Sequence, residues 1–281
     1  MHYGNRNSIS FFFAYILWEM IVTNFTIGDF VTRHSHNHDI VFKIIRIEND
    51  IVYLKGTDLR LYADAFLDDL EKVSDFVEDD SSIINRCMKD FQLDRDNYFY
   101  LPGKILHIDG DQEYLDRCMN YYHSLGIKAN GITIIEKDIS KKINSLLQEY
   151  RPDILVITGH DAFLSKKGEK DDCNNYENSS NFASAIKEAR KFERNQDKLI
   201  IIAGACQSHY ECLIRAGANF ASSPKRINIH ALDPAIIASS LAFSDRNQSI
   251  DLLEVIGKTK YGSDGIGGLI TNGTMYVGYP R

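Results

Sequence analysis

The pattern of apolar and polar positions changes at about residue 100. Between residues 25 and 70, short runs of β-branched and aromatic residues are separated by turn residues such as Gly28, Asn49 and Gly56. This pattern is typical of short antiparallel strands joined by tight turns. Roughly three to five such strands predict a small SH3-like β-barrel over residues 20–71, and the acidic, polar residues 72–100 predict a helical or irregular linker.

After Pro102, apolar runs of strand length alternate with helical patterns of about 10–15 residues. The predicted strands cover residues 104–111, 128–136, 153–161, 198–207 and 218–224. Their continuous Ile, Val and Leu content suits strands that are buried on both faces. The alternation of strands and helices therefore predicts, for residues 101–281, an α/β fold with a mostly parallel sheet covered by helices.

Residues 9–18 are strongly apolar, but the run is much shorter than the roughly 20 residues that span a membrane. Three interpretations are open: translation from upstream of a true start at Met20, a segment that touches a membrane, or a signal peptide. We favour the first, because the run lacks the flanks of a signal peptide. Residues 1–19 are then a non-native extension upstream of the true start, and we expect no stable membrane insertion.

Charge and cysteine content narrow the functional classes. The net charge of −7 argues against a nucleic-acid partner. The five cysteines are Cys87, Cys118, Cys173, Cys206 and Cys212. Their odd number, wide spacing and lack of a C-x-x-C pair indicate neither a disulfide framework nor a zinc knuckle, and they favour a reducing compartment.

Three alternating histidines, His34, His36 and His38, would share one face of a strand and could hold zinc or copper. The other interpretation is a solvated hairpin turn. We favour the turn, because no acidic or cysteine partner is placed nearby in the sequence. We therefore predict no metal site and no organic cofactor.

Three of the predicted strands end in polar residues, at the edge where α/β sheets place their functional groups. They are Asp109-Gly110-Asp111, His160-Asp161 and Cys206-Gln207. A cysteine and a histidine at two strand ends form a candidate nucleophile and acid/base pair, and a helix beginning directly after Cys206 would favour its thiolate. In the alternative interpretation, Cys206 packs in the core and His160 caps a loop.

The order of the pair, with His160 46 residues before Cys206, is that of the caspase-hemoglobinase class of cysteine peptidases, in which the histidine lies about 50 residues upstream. Four segments resemble the YabG family of sporulation-specific peptidases. They are GKILHIDGD, YRPDILVITGHDA, AGACQSHYECLIRAGANFASSPKRINIHALDP and GSDGIGG. The resemblance extends from about residue 24 to the C-terminus.

This resemblance implies a caspase-like fold and a cysteine endopeptidase of spore-forming Firmicutes, with His160 and Cys206 as the catalytic pair. Its substrates would be spore coat and spore-associated precursor proteins, cleaved after arginine, and the chain itself is a further candidate substrate. The enzyme would be made in the mother-cell cytoplasm and reach the spore coat or spore surface. The alternative is a non-catalytic scaffold whose barrel binds a spore-coat partner.

Several further roles follow from this interpretation. The backbone N–H groups of Asp161 and Cys206 are predicted to stabilise the oxyanion, and the Asp161 carboxylate could orient His160. Asp109 or Asp111 is predicted to bind the substrate guanidinium, unless this segment only caps the following helix. Rival acidic residues for that role are Asp161, Asp172 and Asp233. Cys173 is the main competing thiol, and Cys212 is expected to pack inside a helix.

Overall fold

The computed structural model describes residues 25–91, 93 and 96–279. The chain divides into two compact units, with the boundary between Glu78 and Asp79. The predicted extension, residues 1–19, lies outside the described residues. Within the described part of the chain, no helix is both long enough and apolar enough to cross a lipid bilayer.

The N-terminal unit is a five-stranded antiparallel sheet. Its strands are β1 (Phe30–Arg33), β2 (Phe42–Glu48), β3 (Ile51–Gly56), β4 (Tyr62–Phe66) and β5 (Leu70–Lys72), in the order β4-β3-β2-β1-β5. Its core consists of apolar side chains that alternate along the strands, among them Val31, Phe42, Ile44, Val52 and Leu54. The predicted β-rich start is confirmed, whereas closure into an SH3-like barrel stays a prediction.

The C-terminal unit is built on a six-stranded sheet. The unit has eight strands, six of them in this sheet: β6 (Phe99–Leu101), β7 (Ile105–Asp109), β8 (Ala129–Thr133), β9 (Ile154–Thr158), β10 (Ile200–Ala203), β11 (Phe220–Ser222), β12 (Ile266–Gly268) and β13 (Tyr276–Gly278). The sheet order is β12-β11-β10-β9-β7-β8, and only β12 runs antiparallel to its neighbour. β6 and β13 form a separate antiparallel pair. The predicted mostly parallel sheet is confirmed.

Seven helices belong to the described part of this unit. They are α1 (Ser81–Asp90), α2 (Gln112–Ser124), α3 (Glu136–Tyr150), α4 (Ser179–Phe192), α5 (Tyr210–Ala216), α6 (Asp233–Ala242) and α7 (Leu252–Gly257). Side chains of α2, α6 and α7 form one core with the sheet, and those of α3, α4 and α5 form another. Successive strand residues point to opposite faces, so Val156 lies in the first core and Leu155 and Ile157 lie in the second.

The interval that we predicted as a linker contains helix α1 and strand β6. Cys87 of α1 is 1% exposed and belongs to the first core of the C-terminal unit. Asp80, directly before α1, forms an ion pair of 2.8 Å with Arg117 of α2. The segment thus contributes to the packing of this unit.

Candidate active site

The predicted catalytic pair follows two neighbouring strands. His160 comes shortly after Thr158, the last residue of β9, and Cys206 comes shortly after Ala203, the last residue of β10. These strands are parallel neighbours, with Ala203 in register with Ile157. Both residues therefore leave the sheet at its carboxyl edge, as the sequence predicted.

His160 is held by hydrogen bonds on three sides. Its backbone N–H donates to Glu136 Oε1 at 2.9 Å, and its carbonyl accepts from Asn178 Nδ2 at 2.9 Å. Its ring nitrogen Nε2 lies 3.1 Å from Asp111 Oδ2. A carboxylate beside Nε2 stabilises a proton on that nitrogen, which leaves Nδ1 as the nitrogen that exchanges a proton during a reaction.

The Glu136 carboxylate lies between the ends of β7 and β9, where two glycines leave room for it. A Cβ added at Gly110 or at Gly159 would overlap this carboxylate. Gly159, directly before His160, is therefore needed for the packing of Glu136. Glu136 begins α3 and is buried.

Asp111 has two contacts with different partners. Its Oδ1 accepts from the backbone N–H groups of Glu113 and Tyr114, at 3.0 and 3.3 Å, and thereby caps α2. Its Oδ2 faces the His160 ring. The cap that we weighed against substrate binding is thus observed, and the substrate-binding role of Asp111 stays a prediction.

Asp109 lies deeper and is 0% exposed. Its Oδ1 accepts the Asp111 N–H at 2.9 Å, and its Oδ2 accepts the Thr158 hydroxyl at 2.7 Å. A fully buried carboxylate has no surface to offer a substrate, so its burial speaks against the predicted guanidinium-binding role. In the structure, Asp109 instead fixes the turn that carries Asp111.

A buried polar chain supports this turn from below. Because Thr158 Oγ1 donates to Asp109, it accepts from His107 Nε2, which lies 2.8 Å away. The other His107 nitrogen, Nδ1, lies 3.1 Å from the Tyr122 hydroxyl. Buried networks of this kind fix side chains in one arrangement. His107 was not singled out in the sequence.

The turn that carries Cys206 has an unusual backbone. Gly204 has a φ of +110°, and Gln207 has a φ of +58°, which is uncommon for a residue with a side chain. The Gln207 N–H is held by the Ile227 carbonyl and by Ser223 Oγ, both at 3.0 Å. Such strained turns often present functional groups.

Asp161 ties this turn to the histidine loop. Its two carboxylate oxygens accept four hydrogen bonds, from Ala162 N–H, Asn178 N–H, Ser179 Oγ and Ser208 Oγ. Ser208 Oγ in turn accepts the Ala205 N–H at 2.9 Å. Burial raises the pKa of Asp161 above its usual range, although these hydrogen bonds oppose the shift.

The contacts of the Asp161 carboxylate speak against the orienting role that we considered for it. It has about four acceptor positions, and four donors occupy them. The contact with the His160 ring is made by Asp111 instead. The oxyanion roles of the Asp161 and Cys206 N–H groups stay predictions.

The Cys206 sulfur lies against the segment after β11. The Ile229 N–H donates to Sγ at 3.3 Å, and Sγ lies 3.8 Å from the Ile229 carbonyl oxygen. The N–H donor favours the thiolate, whereas the carbonyl oxygen accepts the thiol hydrogen and favours the thiol. We predicted a helix that begins directly after Cys206 and favours its thiolate. Helix α5 begins only at Tyr210, with His209 as its cap, so the N–H that contacts the sulfur belongs to Ile229 and not to the helix terminus. Cys206 is 1% exposed.

Comparison with known proteins identifies the family. The sequence profile described as YabG peptidase U57 matches residues 26–280. The chain belongs to this family. The sporulation-specific protease YabG of Bacillus subtilis (strain 168) is 43% identical over 284 residues, which cover 91% of this chain and 98% of the relative. The resemblance seen in the sequence is confirmed, and the protein is a peptidase of a sporulation-specific protease family.

One prediction about the cysteines was wrong. Cys173 and Cys212 form a disulfide, with their Cα atoms 6.2 Å apart, whereas we predicted no disulfide and treated Cys173 as a competing thiol. The insertion after β9 folds back onto α5 and brings the two residues together across 39 positions. Among the described residues, Cys87, Cys118 and Cys206 are buried and take part in no disulfide.

Sequence reasoning missed the residues that hold the pair in place. Glu136 is the last residue of the predicted strand 128–136, so its position at a strand end was an available signal, as it was for His160. Ser208 directly follows the Cys206 turn and also lay within reach of such reasoning. The Ile229 N–H carried no signal, because a backbone contact depends on the path of the loop.

Proposed function

We propose that this peptidase is a cysteine endopeptidase, with Cys206 as the nucleophile and His160 as the general acid and base. The observation that carries the proposal is the placement of both residues at the carboxyl ends of adjacent parallel strands, with His160 Nε2 on the Asp111 carboxylate. In this proposal Asp111 is the third member of the site, which fixes the orientation of the ring.

The reaction proceeds through a thioester. The Cys206 thiolate attacks the peptide carbonyl carbon, a C–S bond forms, and the protonated His160 donates its Nδ1 proton to the leaving amine as the C–N bond breaks. His160 then takes a proton from water, which attacks the thioester and releases the carboxyl product and the thiolate. Asp111 stabilises the imidazolium that exists before acylation.

The Ile229 N–H has a defined part in this scheme. At 3.3 Å from Sγ it stabilises the negative charge before attack. The predicted oxyanion donors are the N–H groups of Cys206 and Asp161, at the two turns that flank the scissile carbonyl. Because Cys206 is 1% exposed, the segment around Ile229 has to give way when a substrate binds.

For substrates, we propose cleavage after arginine. Support comes from the family resemblance, which implies cleavage after arginine, and from the net charge of −7, which favours cationic partners. Of the two carboxylates predicted to bind the guanidinium, Asp109 is fully buried and Asp111 orients His160 in this proposal, so guanidinium binding by Asp111 is the alternative that the kinetics of Asp111→Asn have to separate.

We place the enzyme in sporulation. The relative from Bacillus subtilis is described as sporulation-specific, and the family resemblance implies spore coat and spore-associated precursor proteins as substrates. The proposed location is the mother-cell cytoplasm, followed by the spore coat or spore surface. The chain itself is a further candidate substrate.

The test is a comparison of wild type with Cys206→Ala on a spore-coat extract, in which new protein termini are mapped by mass spectrometry. Wild type should create termini that follow arginine, and Cys206→Ala should create none. Cys87→Ala, which removes another free buried thiol, is the matched control and should keep the activity. Cleavage by Cys206→Ala would refute the mechanism, and termini after other residues would refute the specificity.

A further inference from the structure

The described residues contain one group of three side chains arranged to hold a metal ion, and it lies in the N-terminal unit. The group is His34, His38 and Glu71, with ligand atoms that all lie within 4.8 Å of one another. We propose that these side chains bind a divalent transition-metal ion, with zinc as the first choice. The inference is independent of the peptidase proposal, because no active-site residue takes part.

The turn after β1 brings the two imidazoles together. A 3-10 turn spans His34–His36, and Asn37 and His38 follow with φ values of 51° and 56°. This left-handed pair reverses the chain, so that the His38 N–H donates to the Arg33 carbonyl at 3.0 Å. As a result, His34 Nδ1 and His38 Nε2 are 3.2 Å apart.

Strand β5 supplies the carboxylate that we did not find near the histidines in the sequence. β5 pairs with β1 in a register that puts Glu71 opposite Thr32. Glu71 Oε2 lies 3.5 Å from His38 Nε2 and 3.9 Å from His34 Nδ1. Asp69, directly before β5, accepts hydrogen bonds from the Ser35 N–H and hydroxyl, both at 2.7 Å, and so fixes the turn beside the strand.

These separations fit a tetrahedral zinc ion. Zinc lies about 2.0–2.2 Å from imidazole nitrogen and carboxylate oxygen, so two ligand atoms at adjacent corners are about 3.4 Å apart. The three observed separations are 3.2, 3.5 and 3.9 Å. The side chains are 50%, 40% and 60% exposed for His34, His38 and Glu71. Small rotations can therefore close the longest edge, and a water molecule can take the fourth corner.

A second contact orients one ligand. His38 Nδ1 lies 2.7 Å from Thr32 Oγ1. When Nδ1 donates to this hydroxyl, the Nε2 lone pair faces the site. Metal-binding histidines commonly donate their other ring N–H to a polar partner in this way. Two imidazoles and one carboxylate suit zinc, copper or nickel better than magnesium or calcium, which prefer oxygen ligands.

His36 is the natural control, because it lies in the same turn outside the group. Its Nδ1 lies 2.8 Å from Ser35 Oγ. From their alternation along the sequence, we considered that the three histidines share one face of a strand. In the structure they do not, because His36 lies outside the group. Without a metal, the same geometry is explained by the hydrogen bond between the two imidazoles and their ion pairs with Glu71, and the experiment has to separate these cases.

The experiment titrates zinc into full-length, chelator-treated Cys206→Ala protein by calorimetry, since this background removes the active-site thiol as a rival ligand. We expect one zinc ion per chain, and with cobalt the visible absorption of a tetrahedral site. His34→Ala, His38→Ala and Glu71→Gln should each weaken binding by more than about tenfold, and Thr32→Val by about tenfold. His36→Ala should bind as the parent does, and magnesium should not compete.

Far-UV circular dichroism of the metal-free variants checks that each remains folded, including Thr32→Val, whose side chain is buried. Absence of zinc binding to the folded parent protein would overturn the proposal in favour of the hydrogen-bonded network. Zinc binding that survives the double substitution His34→Ala and His38→Ala would also overturn it, because the ion would then be held elsewhere.

Discussion

Replacement of Asp111 by asparagine separates the two contacts of this carboxylate. Oδ1 caps α2 through two backbone N–H groups, and Oδ2 faces His160 Nε2. Asparagine caps helices about as well as aspartate, so its amide oxygen can keep the cap. The amide nitrogen then faces His160 and offers a donor where the ring needs an acceptor.

The expected loss is catalytic rather than structural. An amide donor at Nε2 favours the tautomer with its proton on Nδ1, the nitrogen that the mechanism needs as a base. A wrong tautomer of this kind costs on the order of 10⁴-fold in a serine protease triad. For Asp111→Asn we expect kcat to fall by about 10²–10⁴-fold, or about 3–5 kcal/mol in activation free energy, with an unfolding free energy within about 0.5 kcal/mol of wild type.

The assay measures kcat and KM on matched peptides with arginine, lysine or glutamine before the scissile bond, together with urea unfolding. An orienting role predicts that all three peptides lose the same factor in kcat. Asp111→Ala should lose as much activity and about 1 kcal/mol of stability, because it also removes the cap. Asp251→Asn, at the cap of α7, is the matched control and should keep full activity.

Two results would refute this reasoning. If Asp111→Asn keeps a kcat within about threefold of wild type, below 1 kcal/mol in activation free energy, the carboxylate does not orient His160. If only the arginine peptide is lost, Asp111 binds the substrate guanidinium, as the sequence first suggested.

Three further predictions concern the surroundings of the pair. Gly159→Ala should lower kcat strongly, because the added Cβ overlaps the Glu136 carboxylate that holds the His160 N–H. Normal peptide hydrolysis by this variant would show that Glu136 can move away without consequence. Ser208→Ala leaves the buried Ala205 N–H without its acceptor and should cost about 1–3 kcal/mol in urea unfolding, so an unchanged midpoint would contradict the assigned contact. The double variant Cys173→Ser, Cys212→Ser lacks the disulfide. It should lose about 4 kcal/mol of unfolding free energy, for a sequence separation of 39 residues, and should keep peptide cleavage. Abolished cleavage in the folded double variant would place the disulfide in the catalytic machinery.

Much of the C-terminal unit could be predicted from continuous apolar runs. The strands before His160 and Cys206 are buried on both faces, and this burial is what makes such strands visible in a sequence. Strand β12 was not predicted, because Ile266–Gly268 is short and rich in glycine. Its pairing with β11 is set by tertiary structure, which a local pattern does not report.

The contacts that complete each site were harder to predict, because they join distant parts of the chain. Glu136 reaches His160 across the space left by Gly159, and Glu71 reaches His38 through strand pairing. Spacing along the sequence reports neither contact. The Cys173–Cys212 pairing depends in the same way on how an irregular insertion folds back.

The most direct test of the central claim is covalent labelling of the native enzyme with a thiol-directed peptidyl acyloxymethyl ketone that carries arginine at the position before the reactive group. Peptide mapping by mass spectrometry should then place one adduct on Cys206. The labelling rate should fall sharply in His160→Ala and in Asp111→Asn, while the Cys87→Ala control labels as wild type does. An adduct on any other residue, or unchanged labelling and cleavage in Cys206→Ala, would contradict the assignment of Cys206 as the nucleophile.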